Sequence, residues 1–139
     1  MKVSEAMAKT ISTVTPSDPI RKVAQTMKQE DSGFIPVCEN DRLVGVITDR
    51  DIVIRGLAGG DGNILDQPAE RLMSREVRTV EADADIDSAG ETMSRYAVRR
   101  LPVVDHGRLV GILSHGNLVQ ATKAKGPAEK ATLGVTKGA

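Results

Sequence analysis

Leu43-Val44-Gly45-Val46-Ile47-Thr48-Asp49-Arg50-Asp51 reads as a buried strand that hands over to a helix. Its first five residues have the Val/Ile/Leu content of a strand covered on both faces. The next four carry a hydroxyl and two carboxylates where a helix would begin. At Leu109-Val110-Gly111-Ile112-Leu113-Ser114-His115-Gly116-Asn117 the same order of chemistry returns 66 residues later. Polar groups delivered by a strand to a helix N-terminus are a common means of holding an anion.

The repetition extends outward from these stretches. Residues 3–57 superimpose on 69–123 without a gap, and 13 of 55 positions are identical. Among the matches are Met7/Met73, Thr13-Val14/Thr79-Val80, Ile20/Ile86, Met27/Met93 and Pro36-Val37/Pro102-Val103. A unit this small rarely buries enough surface alone, so two copies are expected to pack about a pseudo-two-fold axis. The expected boundaries are 1–60 for repeat 1, 61–68 for a linker, 69–125 for repeat 2 and 126–139 for a flexible tail.

Each copy reads as β-α-β-β-α, an α/β (α+β) pattern. Residues 3–8 form a short helical turn that can run against the other copy. Ile11 to Thr15 is a β-branched strand. Asp18 is placed as N-cap with Pro19 at the first helical position. Ile20, Val23, Ala24 and Met27 share a helix face, which ends at Asp31-Ser32-Gly33. Phe34–Cys38 and Leu43–Ile47 are strands joined by a turn, and Asp49 to about Leu57 is a helix. Ala58 to Asn63 is a flexible connection. In copy two, Asp85 caps a helix with Ile86, Ala89, Gly90, Met93 and Ala97 on one face. Two further strands and a helix from His115 follow.

Composition narrows the function. Lys plus Arg number 19, equal to Asp plus Glu, against a dedicated nucleic-acid binder. There is no Trp, one Tyr and one Phe, too few for a base-stacking platform. The single cysteine, Cys38, forbids an intramolecular disulfide. No membrane-length apolar run or signal peptide is read, and a cytoplasmic location is expected. No nucleophile–base pair stands out, so no enzyme and no catalytic residue is expected. His106 reads as an exposed turn residue, and Cys38 with a histidine has no metal-ligand spacing, so no metal site is expected.

The in-phase copies of Gly-x-x-Thr/Ser, with Ile35-Pro36-Val37 and Leu101-Pro102-Val103-Val104-Asp105 before them, resemble a tandem cystathionine-β-synthase (CBS) domain pair, the Bateman module. The likeness covers nearly all of residues 3–123. The run from Thr48 to Ala58 further resembles small stand-alone bacterial members, including the hypoxic-response type. The resemblance implies a regulatory module that binds an adenine nucleotide (AMP, ADP, ATP, NAD or S-adenosylmethionine) in the cleft between the repeats. It also implies a homodimer, as a flat four-repeat disc, that signals to an effector protein through a conformational change. No cofactor is required in this reading, and no nucleic acid or membrane partner is expected. The alternative is a structural or stress-related adaptor with weak or empty clefts.

The resemblance also assigns roles. Asp51 would accept from the ribose hydroxyls, which suits an acceptor-only carboxylate. Thr48 and the helix N–H groups would meet phosphate, with Thr79 and Val80 near the base. Arg99 and Arg100, just before Leu101 and Pro102, would hold phosphate through their guanidinium groups. A second site would use Ser114 and Asn117, with Thr13, Val14, Ile35 and Pro36 around the base. Asp49 and its counterpart His115 stand beside the two sites. There Asn117 replaces Asp, and Gly33-Phe34 replaces the arginine pair, so weaker anion binding is expected. The plain alternative for Asp49 and Asp51 is helix capping alone.

Overall fold

The computed structural model describes residues 1–60 and 62–123. The tail expected over 126–139 lies outside the described residues. The chain divides into two compact units, one running Ser12–Val77 and the other joining Met1–Ile11 to the part from Arg78 onward. Both mix helices and strands, as the α+β reading expects.

In the Ser12–Val77 unit, α2 (Ile20–Glu30) packs on a hairpin of β1 (Phe34–Glu39) and β2 (Arg42–Thr48). The hairpin is a two-residue turn at Asn40 (φ 53°) and Asp41 (φ 68°), both left-handed. Asn and Asp tolerate that geometry, and it matches the strand twist. A helix follows β2 directly and widens to π-type hydrogen bonding over Asp51–Ala58. Ile20, Val23, Ile35, Val37 and Ile47 form the core, which Ile64, Ala69, Leu72 and Met73 complete.

The other unit repeats the plan with α3 (Ile86–Tyr96), β4 (Arg100–Asp105), β5 (Arg108–Ser114) and α4 (His115–Thr122). A two-residue strand, β3 (Val80–Glu81), runs parallel to β4. The two hairpins share their register, pairing Phe34 with Thr48 and Arg100 with Ser114. Each has a bulge at the same place, after Val37 and after Val103. The left-handed positions also correspond, Asp31 with Ala97 and Asn40 with His106.

The compact units are not the sequence repeats. Helix α1 (Val3–Ala6) belongs with residues from Arg78 onward, where Val3 is fully buried. Its Val3 N–H donates to Ala84 O at 2.8 Å. Beyond it, Ala8 and Ile112 exchange two backbone hydrogen bonds at 2.9 and 3.0 Å. In the same way Ser74 and Val46 exchange bonds at 2.8 and 3.0 Å. The leading segment of each repeat therefore closes the other repeat's last strand. Strand-like bonding by Met7-Ala8 and Met73-Ser74 needs a bare strand backbone opposite, which Gly111 and Gly45 supply. A Cβ on Gly45 would stand 2.8 Å from Ser74 O, and one on Gly111 would stand 2.8 Å from Ala8 O.

Several local expectations are corrected. Ile11 to Thr15 is not a strand: only Val14 bridges, parallel to Val37, because Pro16 follows and cannot extend a ladder. Pro19, not Asp18, is the N-cap of α2. Asp18 instead accepts from Thr15 N–H at 2.8 Å and meets Lys22 Nζ at 3.4 Å. Asp85, at the position matching Pro19, does cap α3, accepting from Asp87 N–H at 2.9 Å. Ala24 is exposed, and Ala97 is the exposed left-handed residue that ends α3. The segment expected to be a linker over 61–68 is held from Ile64 onward. Ile64 is buried, and Leu65 and Gln67 carbonyls accept from Arg21 and Ile20 N–H groups at 2.9 Å.

The Asp18 carboxyl titrates below its ordinary value. Burial pushes it up, but the Thr15 N–H bond and the Lys22 ammonium outweigh that. A depressed carboxyl contributes stability that is present above the unfolded value, about 3.9, and is lost as pH falls through the folded one. Asp18→Asn is therefore expected to flatten the stability–pH curve below about pH 4 while changing its shape little above pH 6, measured by urea denaturation.

Cys38 is buried in β1. Burial pushes its thiol up, and Asp41 adds to the shift. The thiolate is the reactive form. At pH 7 the folded protein should react with a disulfide reagent at least about tenfold more slowly than the urea-unfolded chain. Equal rates would show the thiol to be accessible. Among the described residues no helix is long and apolar enough to cross a membrane.

Candidate functional site

The β2–helix junction in the Ser12–Val77 unit is a closed capping box. Thr48 N–H and its hydroxyl both donate to Asp51 Oδ2 at 2.9 Å. Asp51 N–H donates back to Thr48 Oγ1 at 3.1 Å. This satisfies two groups that a helix start otherwise leaves unpaired. It also divides the carboxylate. Oδ2 holds the cap, while Oδ1 faces Arg55 Nη1 at 3.8 Å. Arg55 is anchored elsewhere, donating to Leu72 O at 2.9 Å. That leaves Oδ1 with acceptor capacity that a hydroxyl could use.

Arg55 is the group the sequence reading missed. Its signal was available as an Asp–Arg pair four residues apart on a helix. Asp49 is exposed, and its N–H donates to Gly33 O at 2.9 Å. The Asp49 carboxylate lies so close over Gly33 that a Cβ there would overlap it.

The β5–α4 junction repeats the box with different chemistry. Ser114 N–H donates to Asn117 Oδ1 at 3.0 Å, and Asn117 N–H donates to Ser114 Oγ at 3.0 Å. His115, at the Asp49 position, donates its N–H to Arg99 O at 2.7 Å. Asn117 keeps the cap but brings an amide where Asp51 brings a second carboxylate oxygen. A hydroxyl that donates to Asp51 Oδ1 would meet a donor at the Asn117 amide nitrogen. The two junctions share the two backbone bonds of the box, and Thr48 adds a hydroxyl bond to Asp51.

The residues expected around a base divide sharply. Thr13 and Thr79 are exposed. Val14, Ile35, Pro36, Val80, Leu101 and Pro102 are buried, and Val14 N–H is spent on Pro36 O at 3.1 Å. Arg99 and Arg100 are exposed. Thr48, Asp51 and Arg55 come together in one unit, and Arg99, Arg100, Ser114, His115 and Asn117 in the other. Among the described residues no group of three or more His, Cys, Asp or Glu could hold a metal ion.

The CBS domain profile matches residues 3–57 and 69–124. The CBS domain-containing protein YhcV of Bacillus subtilis is 38% identical over 117 residues, spanning 84% of this chain and 81% of that protein. Hypoxic response protein 1 of Mycobacterium tuberculosis is 41% identical over 99 residues, 70% of this chain and 68% of that one. Among solved structures, CBSX2 in complex with AMP aligns with a TM-score of 0.77 at 26% identity, covering 88% of this chain and 96% of that one.

Proposed function

The chain belongs to the CBS domain family, with two CBS domains in tandem, and from that premise we propose that this regulatory module senses an adenosine-containing nucleotide. One observation carries the reading: Asp51 presents Oδ1 beside a helix start, with its other oxygen already spent on the cap. In this proposal Asp51 takes the ribose hydroxyls. Thr48 and the neighbouring N–H groups serve phosphate, with Arg99 and Arg100 as its cations. Thr79 and Val80, or Thr13, Val14, Ile35 and Pro36 for the second copy, border the base. The AMP complex of CBSX2 supports the choice of ligand class.

Ser114 and Asn117 make a second, weaker site. The amide loses a charge, and Gly33-Phe34 stands where the first site has two arginines. The protein acts as a homodimer. Val53, Ile54 and Leu57 support this, since they leave an apolar stretch of the Asp51–Ala58 helix about half exposed. Binding shifts the population of conformers, and an effector protein reads the shift. The adaptor reading draws support from the burial of Val14, Ile35, Val80 and Leu101, which leaves a base little side-chain surface to touch.

A thermal-unfolding panel with AMP, ADP, ATP, NAD and S-adenosylmethionine separates the two. A ligand present at a hundred times its Kd stabilises by about 2.7 kcal/mol. The sensor reading expects at least one nucleotide to do so, with the size of the rise following its concentration. No rise with any of the five would leave the adaptor.

A further inference from the structure

A cavity of about 430 Å³ opens within the Ser12–Val77 unit, lined by neither Thr48 nor Asp51. Arg55 and Arg71 line it, as do Gly59 and Gly60, with Ile64 and Leu72 as apolar wall. Among the described residues its lining contains no Asp or Glu. Among the described residues each guanidinium makes one hydrogen bond: Arg55 Nη1 to Leu72 O at 2.9 Å and Arg71 Nη1 to Gln67 Oε1 at 2.9 Å. A guanidinium has five N–H donors, so each keeps several for a ligand.

The cavity is no part of the repeat. The positions matching Arg55, Gly56 and Arg71 in the other copy are Ala121, Thr122 and Glu5. Gly59, Gly60 and Ile64 lie in the stretch joining the repeats, which has no counterpart. A nucleotide site that recurs once per copy therefore cannot account for it. Charge decides what it would take. The C-terminal end of the Asp51–Ala58 helix approaches it and contributes roughly half a negative charge. Two guanidiniums outweigh that fourfold. Asp51 draws on Arg55 only at 3.8 Å, with the Arg55 side chain about half exposed and that of Asp51 18% exposed.

We propose that this cavity is a second ligand site, selective for a small phosphate-bearing anion that Arg55 and Arg71 clamp between them. Its volume lies in the range of small-metabolite pockets. Gly59 and Gly60 answer to the chain itself, since a Cβ on them would stand 3.0 Å from Arg55 O and 2.6 Å from Gly56 O, and Ile64 and Leu72 accommodate a short apolar body.

The test is a titration of the full chain with pyrophosphate at low ionic strength, followed by amide NMR, on the wild type, Arg71→Gln and Arg99→Gln/Arg100→Gln. Arg71 is exposed, so its replacement should leave the fold intact, which the spectrum itself reports. Saturable shifts at the Gly59, Gly60 and Leu72 amides are expected. They should weaken at least about tenfold in Arg71→Gln and persist in the double variant. The absence of shifts at those amides would overturn the proposal. So would shifts there that Arg71→Gln leaves unchanged, or shifts confined to the neighbourhood of Arg99 and Arg100.

Discussion

Gly45→Val is expected to destabilise the protein by roughly 3 kcal/mol, at the upper end of the cost of overpacking a tight site. Gly111→Val should cost about the same, since the two positions are equivalent and the space above each is equally occupied. The cost comes from what the new Cβ meets. Over Gly45 it finds Ser74 O at 2.8 Å and Met73 Sδ at 2.9 Å. Over Gly111 it finds Ala8 O at 2.8 Å and the Met7 sulfur closer still. A methionine can swing aside, because its side chain is unbranched and adaptable. The carbonyls cannot, because Ser74 and Ala8 are each locked by two backbone hydrogen bonds to the strand below. Displacing the segment would break those bonds and expose Met73, which is 4% accessible. Total stabilities are typically 5–15 kcal/mol, so a loss of this size removes a large share. Urea denaturation of the two variants checks the estimate. The more telling comparison is Met73→Ala, which relieves the sulfur contact and not the carbonyl one. It should fail to rescue Gly45→Val. Rescue would show that the side chain, not the backbone bridge, sets the glycine requirement.

Asp51→Asn is expected to weaken nucleotide binding by about tenfold to a hundredfold while leaving the helix capped, since hydrogen bonds to a charged group contribute about 1.5–3 kcal/mol. The protein contains its own control for the structural half of this statement. Asn117 occupies the equivalent position and caps α4 through Oδ1, with distances matching those of Asp51 within 0.1 Å. An asparagine is thus competent in this box. What Asp51 loses on becoming Asn is the charge and the second acceptor oxygen, the one Arg55 faces at 3.8 Å. Asp51→Ala would mix both effects, because it removes the cap as well, at a typical cost of about 1 kcal/mol. The converse change, Asn117→Asp, should strengthen binding at the second copy if charge there is what limits it.

How far the sequence carried these conclusions can be seen residue by residue. The hairpins, their turns and the cap of α3 at Asp85 were legible because each depends on neighbours in the chain. Asn40-Asp41 has the residue types that a left-handed two-residue turn needs, and Asp85 sits directly before an apolar period. The exchange of leading segments was only half legible. Four helical residues and a Met-Ser or Met-Ala pair do not encode which strand they will bridge, although the recurrence of Met7 and Met73 beside Gly45 and Gly111 hinted at a shared constraint. Asp18 was misplaced because its carboxylate has a competing local use, closing the Thr15 turn. The strand expected over Ile11–Thr15 shrank to one bridge because Pro16 lacks the N–H with which Ala82, its counterpart, bonds Val104 O at 3.0 Å.

The site divides in the same way. The Thr48–Asp51 and Ser114–Asn117 boxes follow from spacing, and their geometry is a property of the helix start. The burial of Val14, Ile35, Val80 and Leu101 does not follow from any motif. Those residues read equally well as base contacts or as core, and their side chains lie in the core. The Arg55–Arg71 cavity was invisible for a different reason: its two cations are 16 positions apart, and most of the segment between them belongs to neither repeat.

The central claim is that Asp51 makes this CBS pair a nucleotide sensor. Isothermal titration of nucleotide-free wild type and Asp51→Asn with AMP, with the unfolding free energy of both recorded alongside, tests it most directly. The account expects saturable binding by the wild type, at least about tenfold weaker binding by Asp51→Asn, and unfolding free energies within about 1 kcal/mol of each other. Equal affinities in the two proteins, or no heat from either, would contradict it and leave Thr48 and Asp51 as a helix cap alone.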